Sequence, residues 1–93
     1  MNLYAASCQP LGFGCFSGGA RLLTSVANVP SAYQCQLDCA NYPGCILTQY
    51  GENNCNLFAS DFADTYLTGS QSSSYCAMFG FYDFDSCPVT TPS

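Results

Sequence analysis

The sequence predicts an α+β module, one helix packed on a small antiparallel sheet and stapled by disulfides. Three observations predict it. Eight cysteines fall within 93 residues, close to the density of about 8–10% at which a short chain reads as a disulfide scaffold of an oxidising compartment. A single segment carries helix-start chemistry, and strand-forming segments bounded by turn residues lie on both sides of it. The length leaves no room for a second core, so residues 1–93 are read as one domain.

In chain order, residues 13–16 and 21–24 have the character of short strands, separated by the flexible Ser17-Gly18-Gly19. Ser31 in Pro30-Ser31-Ala32-Tyr33-Gln34 can cap a helix while Gln34, three residues on, reaches back to the cap's amide. A helix from about Ala32 to Ala40 follows, stopped before Pro43-Gly44 because Pro lacks an amide donor and disfavours helical geometry in the residue before it. Residues 45–50 and 55–58 are strand-forming, and Gly51-Glu52-Asn53-Asn54 between them supplies the turn of a β-hairpin. Gly69 to Ser74 reads as a loop. A further strand fits residues 75–81, where Tyr75, Ala77, Phe79 and Phe81 alternate with Cys76, Met78 and Gly80. The tail Val89-Thr90-Thr91-Pro92-Ser93 reads as a connector.

Eight cysteines allow 105 pairings. Cys35 and Cys39 are an i, i+4 pair on one helix face, poorly disposed to bridge each other, so each should pair with something packed on that face. The hairpin offers Cys45 and Cys55, and the nested solution is Cys39 with Cys45 and Cys35 with Cys55. Cys8, Cys15, Cys76 and Cys87 then tie N-terminal strands to C-terminal ones, with their pairing left open. The spacing Cys35-x3-Cys39-x5-Cys45 also resembles a ligand set, but zinc sites present two tight pairs at turns and His is absent, so no metal is expected.

Charge sets the partners. Six acids stand against one base, Arg21, with no Lys or His, for a net charge of -5. Phosphate has almost nothing to hold, which argues against nucleic acid and anionic membranes. No apolar run approaches the roughly 18 residues of a membrane span. Met1-Asn2-Leu3-Tyr4 lacks the features of a secretory leader, so an exported chain has had its leader removed or carries it outside this sequence. Only 8% of residues are charged while 48% are hydrophobic, against about 25% charged in ordinary soluble proteins. Such a surface opposes close packing weakly, which points to self-association, glycan cover or a protein partner.

Catalysis finds little to work with. A His-assisted nucleophile and Schiff-base chemistry are excluded by composition. Asp61 with Asp64 and Asp83 with Asp85 read as solvated or capping residues, and Asp83-Phe84-Asp85-Ser86 lacks the twelve-residue loop of a strong calcium signal. The chain is read as a non-enzyme with no cofactor. Aromatic residues say more: seven Tyr and seven Phe make up 15% of the chain. About half should be core. The rest mark a binding face, with Tyr75, Phe79, Phe81, Tyr82 and Phe84 as the candidates. No Asn-x-Ser/Thr sequon occurs, and Asn53-Asn54-Cys55 is the one N-x-C site. Thr90, Thr91 and Ser93 beside Pro92 are candidates for O-linked sugar.

Cys35-x3-Cys39, Tyr42-Pro43-Gly44-Cys45, a strand ending in Tyr50, and Cys55-Asn56-Leu57 together resemble the PAN/apple family. The resemblance implies a helix pinned by two disulfides to a central hairpin. Cys8 and Gly14-Cys15-Phe16 ahead, with Ser74-Tyr75-Cys76 behind, resemble that family's terminal strands and the bridge joining them. It covers residues 8–81, which defines a core with terminal segments 1–7 and 82–93, and leaves Cys87 as this sequence's own addition. Gly14-Cys15-Phe16 with Arg21-Leu22-Leu23 also resembles the opening of the WSC carbohydrate-binding domains, but Cys55-Asn56-Leu57 lacks their paired Cys-x-Cys-Gly. The resemblance implies extracellular adhesion or recognition of protein or carbohydrate.

Two functional expectations follow. The first is a secreted building block that packs against copies of itself or another extracellular protein in a filament or matrix, using residues 1–7 and 82–93 to add strands to a neighbour's sheet edge. The second is a lectin-like binder, with exposed tyrosines and Asn/Gln side chains converging in a concave patch on sugar hydroxyls.

Overall fold

The structure, a computed structural model, describes residues 8–73 and 75–89. Five strands, β1 (Gly12–Phe13), β2 (Leu22–Ala27), β3 (Leu47–Gly51), β4 (Asn54–Phe58) and β5 (Gly80–Tyr82), form one antiparallel sheet in the order β1-β5-β3-β4-β2. Helix α1 (Ala32–Ala40) packs on one face. Phe62 and Tyr66, at the two ends of the short α2 (Phe62–Thr65), pack on the other. No helix among the described residues is long and apolar enough to cross a membrane.

Local chemistry sets the helix and the hairpin. The Ser31 side chain accepts from the Gln34 amide at 3.1 Å, and α1 ends at Asn41, whose N–H returns to Leu37 O. The Gln34 side chain turns forward, donating to Asp38 Oδ1 at 3.3 Å rather than to the cap. The hairpin turn is only Glu52-Asn53, both left-handed at φ 49° and 62°. Two consecutive positive φ values match the right-handed twist of the strands they join, and Asn tolerates them best among non-glycine residues.

The two faces bury different material. Under α1 lie Cys35, Cys39, Cys45 and Cys55 with Val29 and Leu57, so the core there is largely the bridges Cys35–Cys55 and Cys39–Cys45. Under α2 lie Leu47, Phe58 and Phe81, with Phe62 and Tyr66 set edge-on to Phe81 at 5.7 and 5.6 Å between ring centroids. The other four cysteines pair as Cys15–Cys76 and Cys8–Cys87.

Several elements differ from expectation. The first strands are Gly12–Phe13 and Leu22–Ala27, while Phe16 forms an isolated bridge with Tyr66. The strand expected over residues 75–81 starts only at Gly80, because Ala77 N donates to Ser73 O and Phe79 N to Cys76 O, which curls the preceding residues into a turn. Ser70–Ser72 is a short 3-10 helix. The four-residue α2 is capped by Asp61, which accepts from Asp64 N at 2.9 Å. Asp83 also caps, its Oδ1 accepting from Asp85 N and Ser86 N.

The segment after β5 belongs to this molecule's own fold. Gln36, fully buried, donates from Nε2 to Asp83 O and Cys87 O, both at 3.0 Å, and accepts from Thr48 Oγ1 at 2.7 Å. Together with Cys8–Cys87 this holds residues 83–87 against α1, so they are not a spare strand for a neighbour. Residues 1–7, Thr90, Thr91 and Ser93 lie outside the described residues.

Candidate functional site

On the sheet face opposite α1, one cross-strand row runs Ser25, Asn56, Gln49, Phe81 and Gly12. Residues directly opposite across antiparallel strands point to the same side, so this row is continuous. Phe81, α2 and the 16–20 segment close one part of the face. Toward the hairpin turn the cover stops, and Asn56 and Gln49 form the floor of an open groove, with Ser25 next to Asn56 on β2.

Those polar side chains make one directed chain. Ser25 Oγ donates to Asn56 Oδ1 at 2.6 Å, Asn56 Nδ2 donates to Gln49 Oε1 at 2.9 Å, and Gln49 Nε2 donates to Gly14 O at 2.8 Å. Bonds aligned head to tail polarise one another and fix the amides in place. Gln49 is almost wholly buried and anchors the chain, whereas Asn56 is half-buried and Ser25 exposed. Asn56 keeps one N–H and one lone pair free. Gly14, whose carbonyl accepts from Gln49, sits at φ 154°, with a site for Cβ already filled by Ser70 Oγ, so only glycine lets this carbonyl reach Gln49.

Apolar walls rise around that floor. The groove, of about 350 Å³, is lined by Cys15, Phe16, Gln49, Asn56, Tyr75, Cys76 and Phe79. Phe16 is held by its edge-on contact with Phe58 at 5.3 Å. Tyr75 and Phe79 stack at 6.5 Å with 28° between planes, and Tyr75 is 81% exposed. The Cys15–Cys76 bridge ties the loop that carries these rings to the strand-like segment that carries Phe16. Phe79 lies directly over Gly51, where a Cβ would stand 2.9 Å from its ring. Gly51 is therefore needed for the close approach of the wall to the sheet.

The five aromatic candidates separate. Tyr75 and Phe79 come together in the groove, while Phe81 is fully buried and cannot meet a partner. Tyr82, opposite Thr48, is on the α1 face, half-buried, with its phenol pushed above the ordinary value of 10.0 by burial and then by Tyr50. Phe84 packs against the sulfur-rich core. Strand alternation separates Phe81 from Tyr82, and the turn before Gly80 removes Tyr75 from the expected strand. Sequence reasoning did not single out Phe16, Gln49 or Asn56. The hairpin register held the signal: a two-residue turn at Glu52-Asn53 makes Gln49 and Asn56 direct partners.

A wider depression of about 910 Å³ lies at the C-terminal end of α1, between Asn41-Tyr42-Pro43-Gly44 and Phe84, Pro88 and Val89. Its one side-chain amide, Asn41, already donates to Leu37 O at 3.0 Å, and Tyr42 is the other lining residue with a polar side-chain group. No cluster of metal-ligating residues occurs among the described residues.

Comparison with known proteins gives one match. A family model described as PAN domain covers residues 15–80, the greater part of the chain. No curated protein and no solved structure matches. The match includes every residue that lines the groove, and it leaves Gly14 and the Cys8–Cys87 bridge outside.

Proposed function

The chain belongs to the PAN domain family, protein- or carbohydrate-binding modules of extracellular proteins, and on that premise we propose that it is an extracellular, non-catalytic recognition module whose groove takes a glycan. The observation that carries this reading is the convergence of a fixed amide floor, Gln49 and Asn56, with the stacked rings of Tyr75 and Phe79. Sugar rings present the matching chemistry: C–H faces that lie on aromatic rings, and hydroxyls that exchange donor and acceptor with an amide. The volume lies at the low end of small-ligand sites, about 300–1,000 Å³, which suits a short glycan segment rather than a folded protein. Titration calorimetry with an oligosaccharide found on a glycan array should show Tyr75→Ala weakening binding about tenfold, about 1.4 kcal/mol, with the melting temperature unchanged. Equal affinity in the variant would remove the groove from the account.

Self-association is a second reading, supported by β2. It is one of the two edge strands of the sheet and longer than the other, β1; its residues Leu22–Ala27 carry no charge or Pro, and Leu22 is 45% exposed. Sheet edges are ordinarily blunted by such residues; here only the register shift between Leu22 and Thr24 interrupts the edge. Light scattering should report association that rises with concentration and is lost in Leu22→Lys. A monomer at every concentration contradicts it.

A further inference from the structure

We infer that the groove selects uncharged glycans and rejects sulfated, sialylated and uronate-containing ones, an inference that rests on the glycan reading of the same site. None of the seven lining residues is acidic or basic. The floor offers only neutral amides, with the Ser25 hydroxyl beside them, and the walls offer rings and a disulfide. An anionic sugar entering this space would give up water around its charge with no cation to replace it, and a buried or half-buried unpaired charge is strongly unfavourable.

The rest of the molecule does not help such a ligand. The single basic residue, Arg21, precedes β2 at the end where Leu22 pairs with Phe58, while Ser25 lies further along toward the hairpin turn. The register shift between Leu22 and Thr24 leaves the cross-strand partners of Arg21 and Ser25, Ala59 and Asn56, three residues apart, so at about 3.3 Å per residue the separation along the strand is about 10 Å, longer than the Debye length of about 8 Å at physiological salt. Glu52 stands at the hairpin tip beside Gly51, over which the Phe79 wall is packed, and the net charge of -5 adds a general repulsion. An uncharged pyranose meets none of these costs. It can rest a C–H face on Tyr75 and Phe79 while its hydroxyls take the free N–H and lone pair of Asn56 and the Ser25 hydroxyl.

The test uses the full oxidised chain and four hexasaccharide probes: β-linked glucose, chitin, hyaluronan and heparin. Binding is measured by calorimetry at about 0.1 M and about 1 M salt, between which the Debye length falls from about 10 to about 3 Å. The expected result is that at least one uncharged probe binds, with affinity changing less than about twofold across that range, while heparin and hyaluronan bind at least about tenfold more weakly. Ala27→Lys places a cation two residues from Ser25 on the same face. It should raise heparin binding at the lower salt and leave the uncharged probe within about twofold. Heparin or hyaluronan binding as tightly as the uncharged probes, with affinity falling steeply in salt, overturns the selectivity while leaving the glycan reading intact. Failure of all four probes overturns both.

Discussion

The two faces of the sheet solve the same burial problem with different materials. On the α1 face, four cysteines supply most of the core and Gln36 satisfies three partners at once, and no buried side-chain nitrogen or oxygen among the described residues is left unpaired. On the opposite face the cluster around Phe81 is rings packed on rings with no sulfur in it, the one bridge there, Cys15–Cys76, stands in the groove wall beside it, and the cover ends before the sheet does. A chain this short buries too little apolar surface to hold itself by packing alone, so crosslinks take that role. With the α1 core closed by two bridges and the groove wall tied down by a third, the groove face can leave polar groups and rings open to a ligand. The difference separates what holds the molecule from what the molecule holds.

Reduction of all four bridges should break that comparison most completely, unfolding the chain and abolishing near-ultraviolet circular dichroism. Individually, chain-entropy loss ranks the pairs. Cys15–Cys76, with a sequence separation of 61, should contribute about 4 kcal/mol, Cys35–Cys55 about 3 and Cys39–Cys45 about 2. Denaturant titration of paired Cys→Ala variants checks the order. With Cys15–Cys76 in place, Cys8–Cys87 closes only residues 8–15 and 76–87, so its removal costs less than its sequence separation of 79 implies.

Phe81→Ala probes the aromatic face and should cost about 3–5 kcal/mol, since the ring is fully buried and three others rest on it. Gln36→Leu probes the α1 face with a near-isosteric change that takes the Gln36 donor from the Cys87 carbonyl, leaves Asp83 O to Cys87 N and Ser86 Oγ, and leaves Thr48 Oγ1 only its 3.4 Å bond to Tyr82 O. About 1–3 kcal/mol is expected in denaturant titration, with the loss seen first in amide exchange of residues 83–87. A stability equal to the parent's would mean that the polar clamp is dispensable.

The smallest effect is set by pH. Tyr82 holds its proton more tightly in the folded chain than the ordinary 10.0, through burial and then Tyr50. Above about pH 10 the unfolded chain therefore loses this proton first, and stability falls with rising pH; below that value the contribution is constant. Tyr82→Phe should flatten that part of the alkaline stability profile measured by thermal melts.

What the sequence discloses divides along a similar line. The helix at Ala32–Ala40 and the hairpin are written in adjacent residues: a capping Ser31, a stopping Pro43-Gly44, and a turn whose residues tolerate positive φ. The nested bridges then follow from i, i+4 spacing. Residues 75–79 misled because apolar alternation imitates a strand, while the turn there depends on hydrogen bonds to Ser73 and on a bridge to Cys15, 61 residues away. A helix of four residues, Phe62–Thr65, is too short for hydrophobic periodicity to register. The groove lies between these extremes. Its rings Tyr75 and Phe79 were recognisable as surplus aromatics, whereas Gln49 became a site residue only once Gly14 was folded onto it.

The most direct test of the central claim, that the open end of the non-helical face is where ligand sits, is a nitrogen-15 NMR titration with the uncharged hexasaccharide that binds best. Three buried or half-buried side-chain amides report on it: Asn56 and Gln49 in the groove, and Gln36 on the buried side of α1 as the internal control. The account predicts that the Asn56 and Gln49 side-chain signals and the backbone amides of Tyr75 and Phe79 shift with ligand while the Gln36 signal stays fixed. Shifts confined to residues 41–45, 84 and 88–89, or to β2 alone, with the groove amides unmoved, would contradict it.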